Sequence, residues 1–227
     1  MLLLIETSSP VCSVALSRYG KVAAIREVSA NANHAALLPV MIDELLKEIK
    51  AEVKDIEAVG ISAGPGSYTG LRIGSATAKG LCYALEKPLI AVDSLQALAM
   101  GMSQYYGDAA TTYCPTIDAR RDEIYYGLFG KNGSIIKPSA NLITNSDFLS
   151  EQISGESIII GGSGALKCQK LMGDRPFSYD FLTLSSARWM IALAEEKFKA
   201  GDFSNYVLFE PSYIKPAFIS SEKPLLQ

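Results

Sequence analysis

The chain of 227 residues has a single histidine, His34, so neither an HxxxH metal pair nor an HExxH zinc-protease site can form. Cysteine is sparse and scattered: Cys12, Cys82, Cys114 and Cys168 have no CxxC spacing, which excludes zinc-ribbon and dithiol redox motifs. They read as buried small hydrophobes of a reduced protein. An excess of one charge is missing too, with 21 Lys and Arg against 24 Asp and Glu, a formal net charge of −3. Neither half carries the basic surplus of an autonomous nucleic-acid binder, and basic clustering stops at the pair Arg120-Arg121. The N-terminal run Met1-Leu2-Leu3-Leu4-Ile5 ends at Glu6, too short for a signal peptide or a membrane span. A cytoplasmic protein without membrane contact is expected.

Hydrophobic residues make up 48% of the chain, enough for one large core or two smaller ones. Three short strands are expected first, at Leu2 to Glu6, Cys12 to Ser17 and Lys21 to Val28, the last two joined at Tyr19-Gly20. Asn31-Ala32-Asn33 offers N-caps for a helix from His34 to Ile49 with Leu38, Ile42, Leu45, Leu46 and Ile49 on one stripe. Pro39 lies inside that pattern and predicts a kink or a late start. A strand near Val59, a helix after Ser67, a strand at Leu89 to Val92 and a helix from Ser94 to Tyr105 complete the first half. The second half repeats the order: strands at Tyr113 to Asp118, Glu123 to Phe129 and Ile135 to Leu142, the last two joined by the Asn132-Gly133 turn. A helix near Ser146 to Ile153, a strand at Ser157 to Ile160, a helix at Ala165 to Met172 and a long helix from Ser185 to Ala200 follow.

A three-strand meander followed by alternating helices and strands, occurring twice, predicts two related α/β lobes with mixed sheets. The division falls at residues 1–105 and 106–227, with the last residues returning to the first lobe. This order resembles the ribonuclease-H-like lobes of the actin, sugar-kinase and Hsp70 (ASKHA) superfamily.

Residues 64 to 74 read Gly-Pro-Gly-Ser-Tyr-Thr-Gly-Leu-Arg-Ile-Gly, a glycine-punctuated junction between strand and helix. A dinucleotide fingerprint requires Gly or Ala at its final position, where this chain has Thr69. Ser67 as N-cap explains the turn, but it does not explain Gly70, Gly74 and Ala78 recurring every fourth residue. An interior helical glycine costs about 1 kcal/mol relative to alanine, so close backbone approach must offset it. Two partners are open: another part of the same lobe, or another subunit. Leu37, Val40 and Met41 lie off the main stripe of the preceding helix and add apolar surface to one side. A docking face made of Leu37, Met41, Gly70, Leu71, Gly74, Ser75 and Ala78 is therefore expected.

Ile5-Glu6-Thr7-Ser8, Asn33-His34, Gly64 through Gly74, Val92-Asp93-Ser94-Leu95, Asp118 through Tyr125 and Pro211 through Lys215 together resemble the TsaB (YeaZ-type) family. Glu6 departs from the Asp common in that family. The resemblance implies a non-catalytic subunit of the bacterial machinery that places threonylcarbamoyl on N6 of the tRNA adenosine beside the anticodon. It implies a homodimer, pairing with a catalytic TsaD-type paralogue that holds the metal, and assembly with a TsaE-type ATPase. Contact with tRNA would be indirect, no cofactor intrinsic, and nucleotide bound only at a composite site.

Two rival readings carry their own signals. An ATP-dependent kinase or ATPase of this fold would bind phosphate at the first hairpin, where Glu6-Thr7-Ser8-Ser9-Pro10 has no glycine and Pro10 has no N–H. Gly161-Gly162-Ser163-Gly164 could meet an adenine but lacks a Walker lysine-hydroxyl pair. A metallopeptidase lacks its histidine pair. His34 reads as a capping or packing residue, and the Asp118 to Glu123 charges as a solvated turn or a salt-bridging surface.

Overall fold

The computed structural model describes residues 1–29, 33–144, 157–172 and 177–214. The first five elements form a meander and a helix: β1 (Leu2–Glu6), β2 (Val11–Arg18), β3 (Lys21–Ser29), α1 (His34–Glu48) and β4 (Ala58–Ser62). Then come α2 (Tyr68–Leu85), β5 (Leu89–Val92), α3 (Ser94–Tyr106), β6 (Thr112–Asp118), β7 (Glu123–Phe129) and β8 (Ile135–Ile143). The described chain continues with β9 (Ile158–Gly161), α4 (Ala165–Met172), β10 (Ser178–Asp180) and α5 (Ile191–Ala200). The helix expected near Ser146 to Ile153 lies outside the described residues.

Two five-stranded sheets share one topology, β3-β2-β1-β4-β5 and β8-β7-β6-β9-β10. In each, the first three strands pair antiparallel and the last two join parallel to the first. Such mixed sheets arise because a hairpin reverses the chain within two residues, whereas a crossover helix returns it parallel. Tyr19 and Gly20 both take positive φ, +54° and +73°, giving the twisted two-residue turn that fits β2 to β3.

β1 and β4 are buried along their whole length because helices cover both faces of the first sheet. On one face, Leu38, Met41, Leu45, Ala78 and Cys82 of α1 and α2 pack on Leu3, Ile5, Val14 and Ile61. Ala187, Met190, Ile191 and Ala194, from a 3-10 turn (Ala187–Met190) and α5, cover the other. The second sheet packs α4 on one face and α3 on the other. The helices are thus exchanged: α5 of the second half serves the first sheet, and α3 of the first half serves the second. α3 meets the 3-10 turn at Gly101, where a Cβ would press on the Trp189 ring at 2.8 Å. That close approach requires glycine, and it fixes the two lobes' shared layer.

Three local features bear on the expectations. Helix α1 begins at His34 as expected, so of the two outcomes offered for Pro39 the late start does not occur; the exposed Pro39 leaves the carbonyl of the preceding turn to water. The long helix at Ser185 to Ala200 is a 3-10 turn, capped by Ser186 Oγ accepting from Arg188 N, followed by α5. The third is β10, three residues without alternation, which carries no sequence signal.

Candidate interaction surface

Ser67 Oγ accepts from Gly70 N at 3.3 Å and starts α2. The glycines that follow answer the question left by the sequence. A Cβ on Gly66 would strike the Ser8 carbonyl, one on Gly70 the Thr7 carbonyl, and one on Gly74 the Thr7 hydroxyl. Ser67 N donates to Ser8 O at 2.7 Å, and Thr7 N to Ser62 Oγ at 3.2 Å. These residues let the start of α2 lie directly on the loop after β1, inside the first lobe.

That placement corrects the expected docking face. Met41, Gly70, Leu71, Gly74, Ser75 and Ala78 are buried, and Met41 and Ala78 belong to the core; only Leu37 is half-exposed. Met41 continues the stripe of Leu38 and Leu45 at helical spacing, so it points inward with them. The exposed side of the same helix pair carries other residues. On α1 these are Ala36, Pro39 and Val40, the last 53% exposed; on α2 they are Thr69, Arg72, Ala76, Gly80 and Tyr83. A Cβ on Gly80 would meet nothing within 4 Å. Nothing among the described residues calls for a glycine there, although it weakens the helix by about 1 kcal/mol. The signal was present in the sequence as a second stripe, Thr69-Arg72-Ala76-Gly80-Tyr83, at three- and four-residue steps.

Two carboxylates lie at the ends of β1 and β5 in the first sheet, Glu6 buried and Asp93 half-buried. Glu6 is 1% exposed, and Ser8 N donates to its Oε1 at 2.5 Å. Desolvation pushes its carboxyl above the usual range, hydrogen bonds from Ser8 and Ser62 oppose this, and the charge of Asp93 adds to the rise. Asp93 caps α3, accepting from Leu95 N at 2.8 Å and Gln96 N at 2.9 Å, and burial raises its carboxyl as well. In the β1–β2 turn the backbone donors Thr7 N and Ser8 N are committed as described, Val11 N donates to Ser9 Oγ at 3.1 Å and Pro10 has none, whereas the buried hydroxyls of Thr7 and Ser8 have no partner among the described residues.

In the second sheet, the Gly161 to Gly164 turn is used for packing. Thr116 Oγ1 donates to Gly161 O at 2.6 Å, and a Cβ on Gly162 would meet the Thr116 carbonyl. The charged turn after β6 is tied to α4, since Asp118 Oδ1 accepts from Arg120 N at 2.7 Å and from Lys167 Nζ at 2.6 Å. All four cysteines are buried and unpaired, in agreement with their spacing. His34 is buried at the start of α1. Among the described residues no three His, Cys, Asp or Glu side chains gather as a metal site, and no helix is long and apolar enough to cross a membrane.

Two sheets of identical mixed topology, joined by a shared helical layer, define an ASKHA-class, actin-like fold. An ATP-glucomannokinase from Arthrobacter sp. strain KM has this fold at a TM-score of 0.50 and 11% identity, over 88% of this chain and 98% of that one. A family model described as TsaD, tRNA N6-adenosine threonylcarbamoyltransferase, matches residues 26–177. The tRNA threonylcarbamoyladenosine biosynthesis protein TsaB of Escherichia coli K12 is 33% identical over 165 residues, 70% of each chain. YeaZ from Pseudomonas aeruginosa superposes with a TM-score of 0.79 at 27% identity, covering 93% of this chain and 98% of its own. The chain belongs to the TsaB (YeaZ-type) family.

Proposed function

We propose that this chain is a non-catalytic partner subunit in the synthesis of threonylcarbamoyladenosine in tRNA. It pairs with a TsaD-type transferase, forms a homodimer when alone, and supports assembly with a TsaE-type ATPase in the cytoplasm. Contact with tRNA is made through the complex, and nucleotide contact in this role belongs to a composite site shared with those partners. The observation that carries the reading is the outer face of α1 and α2, where Gly80 and Ala76 lie open beside the exposed side of α1 with Val40. A flat helical face admits a second backbone closely, and burying its apolar atoms contributes roughly 25 cal/mol per Å². The similarity to E. coli TsaB and the match to a TsaD model support a pairing of paralogues. The committed backbone N–H groups of Thr7, Ser8 and Val11, with Pro10 lacking one, favour this reading over an intrinsic kinase or ATPase.

Reconstitution tests it. Purified TsaD-type and TsaE-type subunits, tRNA, threonine, bicarbonate and the enzyme that activates them are combined with and without this chain. Modified adenosine is expected only when the chain is present, and none from the chain alone; equal product without it contradicts the reading.

A further inference from the structure

Away from the α1–α2 face, the β2–β3 turn, the end of α3 and the 3-10 turn before α5 line a half-open cavity of about 340 Å³. Gly20, Val22, Tyr105, Arg188, Trp189 and Ile191 line it. Its aromatic wall is fixed: Trp189 is buried, with Nε1 donating to Leu184 O at 3.0 Å, and Tyr105 meets it edge-on with ring centroids 5.9 Å apart. Tyr105 itself is 66% exposed. An aromatic side chain left in water at the rim of a cavity is available for stacking.

Arg188 supplies the cation. Its guanidinium lies 5.5 Å from the Trp189 ring centroid, and its buried Nε has no acceptor among the described residues. The nearest carboxylate, Glu27, is 3.8 Å from Nη2, beyond hydrogen-bond length, and its other oxygen accepts from Ser13 Oγ at 3.1 Å. The other carboxylate by the cavity, Glu195, accepts from Ser17 Oγ at 2.9 Å and Gly20 N at 3.1 Å. Gly20 and Val22 of the β2–β3 hairpin form one rim. A guanidinium held on an aromatic face, with Nε unpaired among the described residues and only a long ion pair from Nη2 to Glu27, suits a phosphate joined to a flat ring. A cavity of this volume, at the small end of ligand sites, accommodates a single such unit.

We infer that this cavity binds a nucleotide, with the base against Tyr105 and the phosphate on Arg188, either free or as one unit of an RNA strand. The site is separate from the α1–α2 face and does not depend on how the chain pairs with other subunits. Trp189 is the only tryptophan of the chain, so its fluorescence reports the site directly.

The test is a titration of the full chain with AMP, adenosine and a short oligoadenylate, followed by Trp189 emission. Saturable quenching by AMP with a Kd below about 1 mM is expected. Adenosine, which lacks the phosphate, and the Arg188→Ala variant with AMP should each bind on the order of tenfold more weakly. Tyr105→Ala, on a largely exposed side chain, should weaken binding by roughly fivefold or more in a protein that still melts cooperatively, its Tm lower by a few degrees at most for the lost Trp189 contact. Equal affinity for AMP and oligoadenylate identifies a free nucleotide; tighter, salt-sensitive binding of the oligomer identifies RNA. No saturable change with either probe overturns the inference, and so does AMP affinity unaltered in both folded variants.

Discussion

Alanine at Gly70 and alanine at Gly80 should move the stability of this protein in opposite directions, although both glycines lie in α2. At Gly80 a Cβ enters open space, so Gly80→Ala gains the helix-propensity difference of about 1 kcal/mol. For a chain of this size that is a rise in Tm of about 2–4 °C. At Gly70 the added carbon meets the Thr7 carbonyl, a backbone atom of the loop after β1, in a segment also held by Ser67 N and Ser62 Oγ. Neither side can yield by rotating a side chain, so overpacking costs about 1–3 kcal/mol. Because Gly70 is in the first turn of the helix, the propensity gain offsets only part of this. The two variants should therefore melt roughly 4–10 °C apart. Thermal denaturation followed by circular dichroism measures it, with urea midpoints as a second probe. A Gly70→Ala protein as stable as the parent, or a Gly80→Ala protein less stable, refutes the inward and outward assignment of the helix faces.

Three further outcomes follow from the same geometry. Burial raises the Glu6 carboxyl, so the folded chain holds that proton more tightly than the unfolded chain, and stability falls as pH climbs from about 4.5 through the folded value. Glu6→Gln should be the more stable protein at neutral pH and lose that advantage near pH 4, a pattern that paired melting curves across pH can check. Burial pushes the Cys12 and Cys82 thiols up to about 11 and Cys168 up to about 12. A thiol reagent at about pH 8 should label none of the four cysteines in the folded chain and all of them in denaturant. Fast labelling of the native protein would contradict the packing described. Met41→Glu places a charge in the first core and should unfold the chain, whereas Val40→Glu, one residue earlier and exposed, should leave its Tm within a degree or two.

Much of the architecture was legible because local chemistry and fold agree. The hairpin turn at Tyr19-Gly20, the N-cap at Ser67 and the repeated meander each have a residue-level signature, and each fell where expected. The direction of the α2 faces was not legible. Gly70-Gly74-Ala78 and Ala76-Gly80 are both stripes of small residues, and periodicity identifies a stripe without saying which side of the helix meets the sheet. Only the contact of Gly70 and Gly74 with Thr7 decides it. The exchange of α3 and α5 was hidden for a related reason. α3 buries Ala97 toward the first core and Leu95, Leu98, Ala99 and Met102 toward the second, so it reads as apolar nearly all round. The cavity around Arg188 joins segments far apart in the chain, a proximity that no local pattern encodes.

The central claim is that the open face of α1 and α2 meets another polypeptide. Native mass measurement after co-expression with the cognate TsaD-type subunit tests it most directly, using the parent chain and a Val40→Glu, Ala76→Glu variant shown to melt normally. One-to-one heterodimer from the parent and only separate chains from the variant is the predicted result. An intact heterodimer from the variant would contradict it.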